Sequence, residues 1–111
     1  MIKPTRFYSN RQEKRVAKAT KGKQTANSGA TKFSKGDIRT ATFLIECKTS
    51  VSEKQSFTIK KEWLEKNKEE AFAMNKPYSA LAFDFGDNEN HYVIDEKLFK
   101  LLLEYIEKAG L

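Results

Sequence analysis

The distribution of apolar and polar positions along the chain predicts four short strands and three helices. Four segments show the continuous or alternating apolar pattern of a strand: residues 36–39, 43–48, 78–85 and 91–94. Three segments show apolar residues at helical spacing: residues 10–20, 59–75 and the stretch that follows Asp95. Residues 1–9 precede the first helix and are predicted to form an N-terminal arm. This order of elements predicts a single α/β domain over residues 1–111, with a central mixed β-sheet flanked by helices.

Each predicted helix has a start signal, and two of them have a clear apolar stripe. Asn10 and Glu13 have the spacing of a capping box. Thr58 and Asp95 stand where they can cap the second and third helices. The second helix is expected to bury the stripe Ile59, Trp63, Leu64, Ala71 and Phe72, which makes Trp63 a core residue. The third helix is expected to bury Leu98, Leu101, Leu102, Tyr105 and Ile106.

Length and composition exclude several classes of protein. A chain of 111 residues can bury a core of its own. No apolar run approaches the roughly 20 residues of a membrane-spanning helix, and the N-terminal residues lack the apolar centre of a secretory signal. The single cysteine, Cys47, cannot form an intrachain disulfide, which fits a reducing compartment. We therefore expect a cytoplasmic protein without a membrane span.

Charge is divided unevenly between the two halves of the chain. Residues 1–50 contain twelve Lys and Arg against three acidic residues, whereas residues 51–111 contain nine against twelve. An excess of basic residues in one half is the electrostatic footprint of nucleic-acid binding. A solubilising surface accounts for the same charges equally well.

The most informative stretch is the predicted hairpin formed by residues 36–39 and 43–48. If the two strands pair antiparallel around a turn at residues 40–42, Asp37 lies opposite Glu46, and the aliphatic residues of the two strands meet on the other face. Because side chains alternate along a strand, Lys48 shares the face of Glu46 and Cys47 points to the core. Two neighbouring carboxylates require a proton or a cation. Their hard oxygen ligands favour an ion of the magnesium type over zinc.

These residues carry a resemblance to a known family. The strings Ser28-Gly29-Ala30, Lys35-Gly36-Asp37-Ile38 and Glu46-Cys47-Lys48 resemble the signature of the PD-(D/E)xK nuclease superfamily, in its small branch of Holliday junction resolvases that includes phage versions. The proline of the superfamily name is absent, and the resemblance covers roughly residues 10–85. It implies a restriction-endonuclease-like fold. It also implies a metal-dependent, structure-selective DNA endonuclease that resolves four-way junctions by phosphodiester hydrolysis.

The resemblance also implies a role for individual residues. Asp37 and Glu46 would bind Mg²⁺, for which Mn²⁺ substitutes, together with the backbone carbonyl of Cys47. Lys48 would orient the attacking water or stabilise the anionic transition state. Glu13 matches a first-helix glutamate that approaches the metal and completes the catalytic set, although it would otherwise serve only as part of the helix cap.

The expected DNA contacts follow from the same resemblance and from the basic residues near the site. Ser28 matches a loop serine that contacts backbone phosphate. The basic residues expected to contact phosphate are Lys14, Arg15, Lys18, Lys21, Lys23, Lys32, Lys35, Arg39 and Lys60, each of which is otherwise a solvated surface residue. His91 is expected to be a surface residue of the last strand.

The expected partner is branched double-stranded DNA bound by a homodimer, with the last helix or the strand at residues 91–94 as the interface. The branch resembled also points to a phage-encoded protein that acts in a bacterial host. Three alternatives to a junction resolvase remain open from the sequence. They are a nicking or flap-directed nuclease of the same fold, a non-catalytic nucleic-acid-binding module, and a structural protein in which Asp37 and Glu46 are only solvated.

Overall fold

A mixed β-sheet of five strands forms the centre of the computed structural model, which describes residues 5–25 and 37–111. The strands lie side by side in chain order: β1 Lys23–Gln24, β2 Asp37–Arg39, β3 Phe43–Lys48, β4 Tyr78–Phe83 and β5 His91–Val93. β3 and β4 are parallel, and the other neighbouring strands are antiparallel. The described residues therefore form one α/β domain with a mixed sheet, as the sequence predicts.

Two helices cover opposite faces of this sheet. α1, Thr5–Thr20, places Val16 against the buried side chains of Ile38 and Ile45. α2, Lys61–Ala73, packs on β3 and β4 and is linked to them through Asn67, whose amide donates to two strand carbonyls. A third helix, α3, spans Glu96–Ala109. None of the helices among the described residues is long and apolar enough to cross a membrane.

The predicted register of the hairpin is confirmed. Asp37 pairs with Glu46 and Ile38 pairs with Ile45 across β2 and β3. Thr40 stabilises the turn because its hydroxyl accepts hydrogen bonds from the backbone at residues 42 and 43. A slip of one residue would expose the two isoleucines, which are almost fully buried, so the apolar face holds the register.

The predicted start of α1 is wrong. The helix begins at Thr5 rather than Asn10, so most of the predicted N-terminal arm is helical, and Glu13 is not in a capping box. Residues 5–9 contain neither glycine nor proline, and Arg11 lies over the rings of Phe7 and Tyr8 at 5.4 and 5.5 Å. Side chains at these spacings stabilise a helical turn. Residues 1–4 of the predicted arm lie outside the described residues.

The boundaries of the second helix also differ from the prediction. α2 begins after Lys60, which has extended backbone and makes no side-chain cap, so Thr58 does not cap it. Ala71 is buried as expected, but Phe72 is 85% exposed and does not belong to the core. Phe72 is adjacent in sequence to a buried position, and one residue along a helix turns the side chain by about 100°.

The predicted cap of the third helix is confirmed, whereas the predicted burial of its apolar stripe is wrong. The Asp95 carboxylate accepts a hydrogen bond from the Leu98 backbone N–H at 2.9 Å, as an N-cap does. Leu98 is the buried residue of the predicted stripe, whereas the other four members are exposed. An apolar stripe shows that a helix face requires a partner, but it does not place that partner within the same chain.

The edge strand β1 is absent from the four strands that the sequence predicts. β1 pairs with β2 through Lys23 opposite Arg39, and the Thr25 backbone N–H donates to the Asp37 carbonyl at 3.0 Å. A strand of two residues has no measurable periodicity, so only its pairing reveals it.

Candidate metal and nucleic-acid site

Three predicted site residues lie together on the α2 face of the sheet. Asp37 and Glu46 are paired across the β2–β3 hairpin, and the Glu46 carboxylate is 3.7 Å from the Lys48 ammonium nitrogen. Asp37 is only 4% exposed, whereas Glu46 and Lys48 are half-buried. The hairpin therefore gathers two acids and one base at the end of β3, as the alternation of its side chains predicts.

Helix α2 adds residues that the sequence did not assign to this site. The Lys48 ammonium group lies 4.4 Å from the centre of the Trp63 ring. Trp63 is thus half-buried beside the catalytic candidates rather than in the core. The charge of Lys66 acts on Glu46, and buried Glu70 acts on Asp37 and is itself repelled by Glu46. Lys48 is therefore held between a carboxylate and an aromatic face.

A pattern in the sequence could have identified this contribution. Trp63, Asn67 and Glu70 recur at helical spacing, so they lie on one face of α2. Two polar residues interrupt what was treated as an apolar stripe. Polar residues on the inward face of a helix usually meet polar partners there.

Burial and repulsion make this cluster favour a proton or a cation. Burial, followed by the charges of Glu46, Glu70 and Glu13, raises the pKa of Asp37 to about 8. Burial also raises the pKa of Glu46, against the opposing effect of Lys48 and Lys66. The Oε2 atom of Glu46 is buried without a hydrogen-bond partner. The surrounding basic side chains therefore offset only part of the cost of charging these carboxylates.

Glu13 approaches this cluster from the other side of the sheet. It lies on α1, which packs on the Ile45 face, and its carboxylate accepts a hydrogen bond from Gln24 at 3.1 Å. Burial raises the pKa of Glu13, and the bond from Gln24 opposes this shift. Its charge still acts on Asp37. Glu13 is therefore close enough to affect Asp37, but it lies on the opposite side of the sheet from Lys48.

The donor set suits magnesium better than a metal that requires a complete protein cage. Among residues 5–25 and 37–111, no three acidic, cysteine or histidine side chains converge closely enough to form a ligand group. Magnesium commonly binds through one or two carboxylates and retains several waters. Asp37, Glu46 and the backbone carbonyl of Cys47 fit that requirement. The Cys47 side chain packs against the core, as predicted, and burial raises its pKa.

The basic residues predicted to bind DNA fall into separate groups. Lys23 and Arg39 are exposed and directly paired, and alternation places them on the face of Asp37. Lys60 is exposed at the start of α2, 5.7 Å from the Trp63 ring. Three other exposed lysines, on α1 and at its end, belong to the opposite side of the sheet or its edge: Lys14, Lys18 and Lys21. Ser28, Lys32 and Lys35 lie outside the described residues.

Arg15 has a structural partner rather than a free guanidinium group. It donates to the Asp84 carboxylate at 2.6 Å and to the Asn88 side chain at 3.2 Å. Asp84 is 1% exposed and also accepts from the Thr49 hydroxyl at 2.5 Å and the Gly86 N–H at 3.0 Å. Arg15 therefore joins α1 to the loop after β4, and we assign it a role in the fold, while its contact with phosphate stays a prediction.

Replacement of Arg15 tests this assignment. Arg15→Ala should lower the free energy of unfolding by about 3 kcal/mol, because it leaves the buried Asp84 carboxylate without its cation. Lys14→Ala, an exposed neighbour on the same helix, should change it by less than about 0.5 kcal/mol. Urea denaturation of both variants measures the difference. Equal stability of the two variants would show that Arg15 has no such structural role.

Comparison with known proteins adds no independent assignment. No protein-family model, curated protein or solved structure matches this chain. The function is therefore argued from the side chains of the site and from the resemblance of its motif.

Proposed function

We propose that the protein is a Mg²⁺-dependent, structure-selective DNA endonuclease of the PD-(D/E)xK type that resolves four-way junctions as a homodimer. One observation carries the proposal. Asp37 pairs with Glu46 across the hairpin, and Lys48 lies two residues after Glu46 on the same face. That arrangement is the one that the resemblance requires. A restriction-endonuclease-like fold, a cytoplasmic location and a phage origin belong to the same proposal.

The residues of the site divide the chemistry among them. Asp37 and Glu46 hold the ion, with the Cys47 carbonyl as a third ligand and Glu13 acting through a water. When bound, Mg²⁺ supplies a polarised water and a counter-charge for a phosphate oxygen. The unpartnered Oε2 of Glu46 and the raised pKa of Asp37 support a cation at this position.

Lys48 provides the positive group for the transition state. An ammonium group has three hydrogen-bond donors and no acceptor, so it stabilises a phosphorane-like anion or orients the attacking water. Glu46 and Trp63 fix its position from two sides, at 3.7 and 4.4 Å. Such positioning before the reaction lowers the cost of reorganisation when charge develops.

Basic residues near the carboxylates support a polyanionic substrate. Lys23, Arg39 and Lys60 are exposed on the face of the site, where they suit the phosphates on either side of a cleaved bond. Thr25 and Asp37, the described residues before and after residues 26–36, lie side by side, because the Thr25 N–H donates to the Asp37 carbonyl. Ser28, Lys32 and Lys35 belong to that segment and are proposed to contact the DNA backbone.

A non-catalytic nucleic-acid-binding module is the second candidate. It is favoured by the exposed basic residues Lys23, Arg39 and Lys60, which can bind phosphate whether or not an ion is held. In that case the two carboxylates only tune the surface. A nicking or flap-directed nuclease shares every residue of the site and differs from a resolvase only in the shape of its substrate.

Matched DNA substrates distinguish these functions. Wild-type protein is incubated with an end-labelled four-way junction, a flap and a linear duplex of the same sequence, with Mg²⁺, with Mn²⁺ and with EDTA. The proposal expects metal-dependent paired cuts in the junction and little cleavage of the duplex. Cleavage of the flap alone would identify the flap-directed alternative, and binding without cleavage would identify the binding module. Absence of both binding and cleavage would refute the proposal.

A further inference from the structure

Helix α3 has a broad apolar face that the rest of the described chain does not cover. Its exposed apolar residues are Phe99, Leu101, Leu102, Leu103, Tyr105 and Ile106, each between 42% and 72% exposed. The helix itself is well defined at both ends. Asp95 caps its start, and Gly110 ends it in the left-handed conformation at φ 74°. This face is therefore part of a regular helix that reaches away from the sheet after its first turn.

The apolar positions are symmetric about Leu102. Three pairs of apolar residues lie at equal distances on either side of it: Leu101 and Leu103, Phe99 and Tyr105, Leu98 and Ile106. At about 100° per residue, they span an arc of roughly 200° centred on Leu102. The charged residues all lie outside that arc. A second helix can therefore pack on this face without desolvating a charge.

The charged positions of α3 follow the same symmetry with the sign reversed. Three pairs of opposite charges lie at equal distances from Leu102: Lys100 and Glu104, Lys97 and Glu107, Glu96 and Lys108. If two copies pair antiparallel about Leu102, each charge lies level with the opposite charge of its partner. A parallel pair would place like charges level with each other and align the two helix dipoles.

We propose that α3 is the interface through which two copies of this chain associate, antiparallel and with the two-fold axis at Leu102. A two-fold interface uses the same patch on both copies, so residue i meets residue j and j meets i. The exposed apolar positions of α3 from Phe99 to Tyr105 satisfy that condition. The proposal does not depend on nuclease activity, although such a dimer would present two sites to a junction.

The area of this face is sufficient for a stable dimer. The exposed fractions of its six apolar residues amount to about three fully exposed side chains, and Phe72 adds most of a fourth. At roughly 200 Å² for a side chain of this size, that is on the order of 800 Å² per copy. Phe72 contributes because it lines, with Leu101, the cleft between the end of α2 and α3. A standard interface buries about 800 Å² per partner.

The charges of α3 argue against a membrane surface as the occupant. Helices that lie on anionic membranes carry an excess of Lys and Arg on the polar face. The polar side of α3 carries three lysines against three glutamates and has no net charge. A second copy of the same helix is therefore the better complement.

Measurement of mass in solution tests the interface. Sedimentation velocity of the full chain, over a wide range of concentration, should show a reversible change from 12.8 kDa to twice that mass. Leu102→Glu places two carboxylates opposite each other at the axis and should raise the dimer dissociation constant at least ~30-fold. Val51→Glu is the matched control, because Val51 is exposed to a similar extent outside α3, and it should change that constant less than ~3-fold. Circular dichroism confirms that both variants fold.

Cysteine cross-linking tests the orientation of the two helices. In a Cys47→Ala background and under mild oxidation, Leu102→Cys should form a disulfide between the two copies, because position 102 faces itself at the axis and lies within disulfide distance. Phe99→Cys should cross-link only when mixed with Tyr105→Cys.

A monomer at every concentration, or a dimer indifferent to Leu102→Glu, would overturn the proposal. Self-linking of both Phe99→Cys and Leu102→Cys would overturn the antiparallel arrangement. Liposome flotation of the wild type by the α3 face would identify a membrane occupant instead.

Discussion

Asp37→Asn is expected to abolish Mg²⁺-dependent cleavage of a four-way junction while leaving DNA binding intact. The substitution keeps the size of the side chain but removes one of two charged oxygen ligands, so the ion is held weakly and placed poorly. We expect the single-turnover cleavage rate to fall on the order of 10³-fold or more. The junction dissociation constant should change less than about threefold, because phosphate contacts come from the basic residues. Gel-based cleavage and fluorescence anisotropy measure the two quantities.

Matched variants make this result specific to the site. Asp87→Asn removes the same charge from the turn before β5, far along the chain from the hairpin, and should leave cleavage within about twofold of wild type. Glu46→Gln should reproduce the loss seen with Asp37→Asn. If Asp37→Asn cuts at the wild-type rate, Asp37 is not a metal ligand. If it also loses binding, the carboxylate acts through the fold instead of through the ion.

The second large effect concerns stability and its dependence on pH. In the absence of metal, the free energy of unfolding of the wild type should fall as the pH rises from about 4 to about 8. Burial and the neighbouring acids raise the pKa of Asp37 from 3.8 to about 8 in the folded state. Between these two values the folded protein retains a proton that the unfolded chain has lost. The stability that the Asp37 proton contributes is therefore complete below about pH 4 and is lost as the pH rises through about 8.

Asp37→Asn should weaken this dependence, and what remains comes from Glu46 and Glu13, whose pKa values burial also raises. The variant should be more stable than metal-free wild type by roughly 2 kcal/mol at pH 8, because it does not bury a charged carboxylate. Relaxation and water penetration screen part of that charge, so the difference is smaller than the full pKa shift implies. The difference should vanish near pH 4. Saturating Mg²⁺ should stabilise the wild type at pH 8 and leave the variant almost unchanged. Urea denaturation at several pH values measures these effects, and equal pH profiles for the two proteins would contradict the assigned environment of Asp37.

The local features of the site could be predicted because they depend on residues close together in the chain. The pairing of Asp37 with Glu46 follows from a short turn and from the alternation of apolar and polar residues on β2 and β3. The cap at Asp95 is local for the same reason, since its carboxylate reaches the N–H three residues ahead. In both cases the interacting groups are separated by less than ten positions.

The features that were missed join parts of the chain that are far apart. A helical stripe predicts Trp63 in the core, because an aromatic residue at such a position usually packs there, yet its ring meets Lys48 from another element. The ion pair of Arg15 with Asp84 joins residues that are distant in the chain, so the sequence does not reveal it. Periodicity shows which face of a helix turns inward, but it does not identify the side chain that it will meet.

The chain by itself determines an α/β domain and a hairpin in which two acids and a lysine share one face, because alternation of side chains and a single buried face leave one workable register. Only the tertiary structure decides that Trp63 and Glu70 complete that face, that Arg15 pairs with Asp84 and that α3 leaves its apolar stripe exposed. Those outcomes depend on which elements come together in space. That choice is made by the free energy of burying whole surfaces against each other, which no local pattern contains.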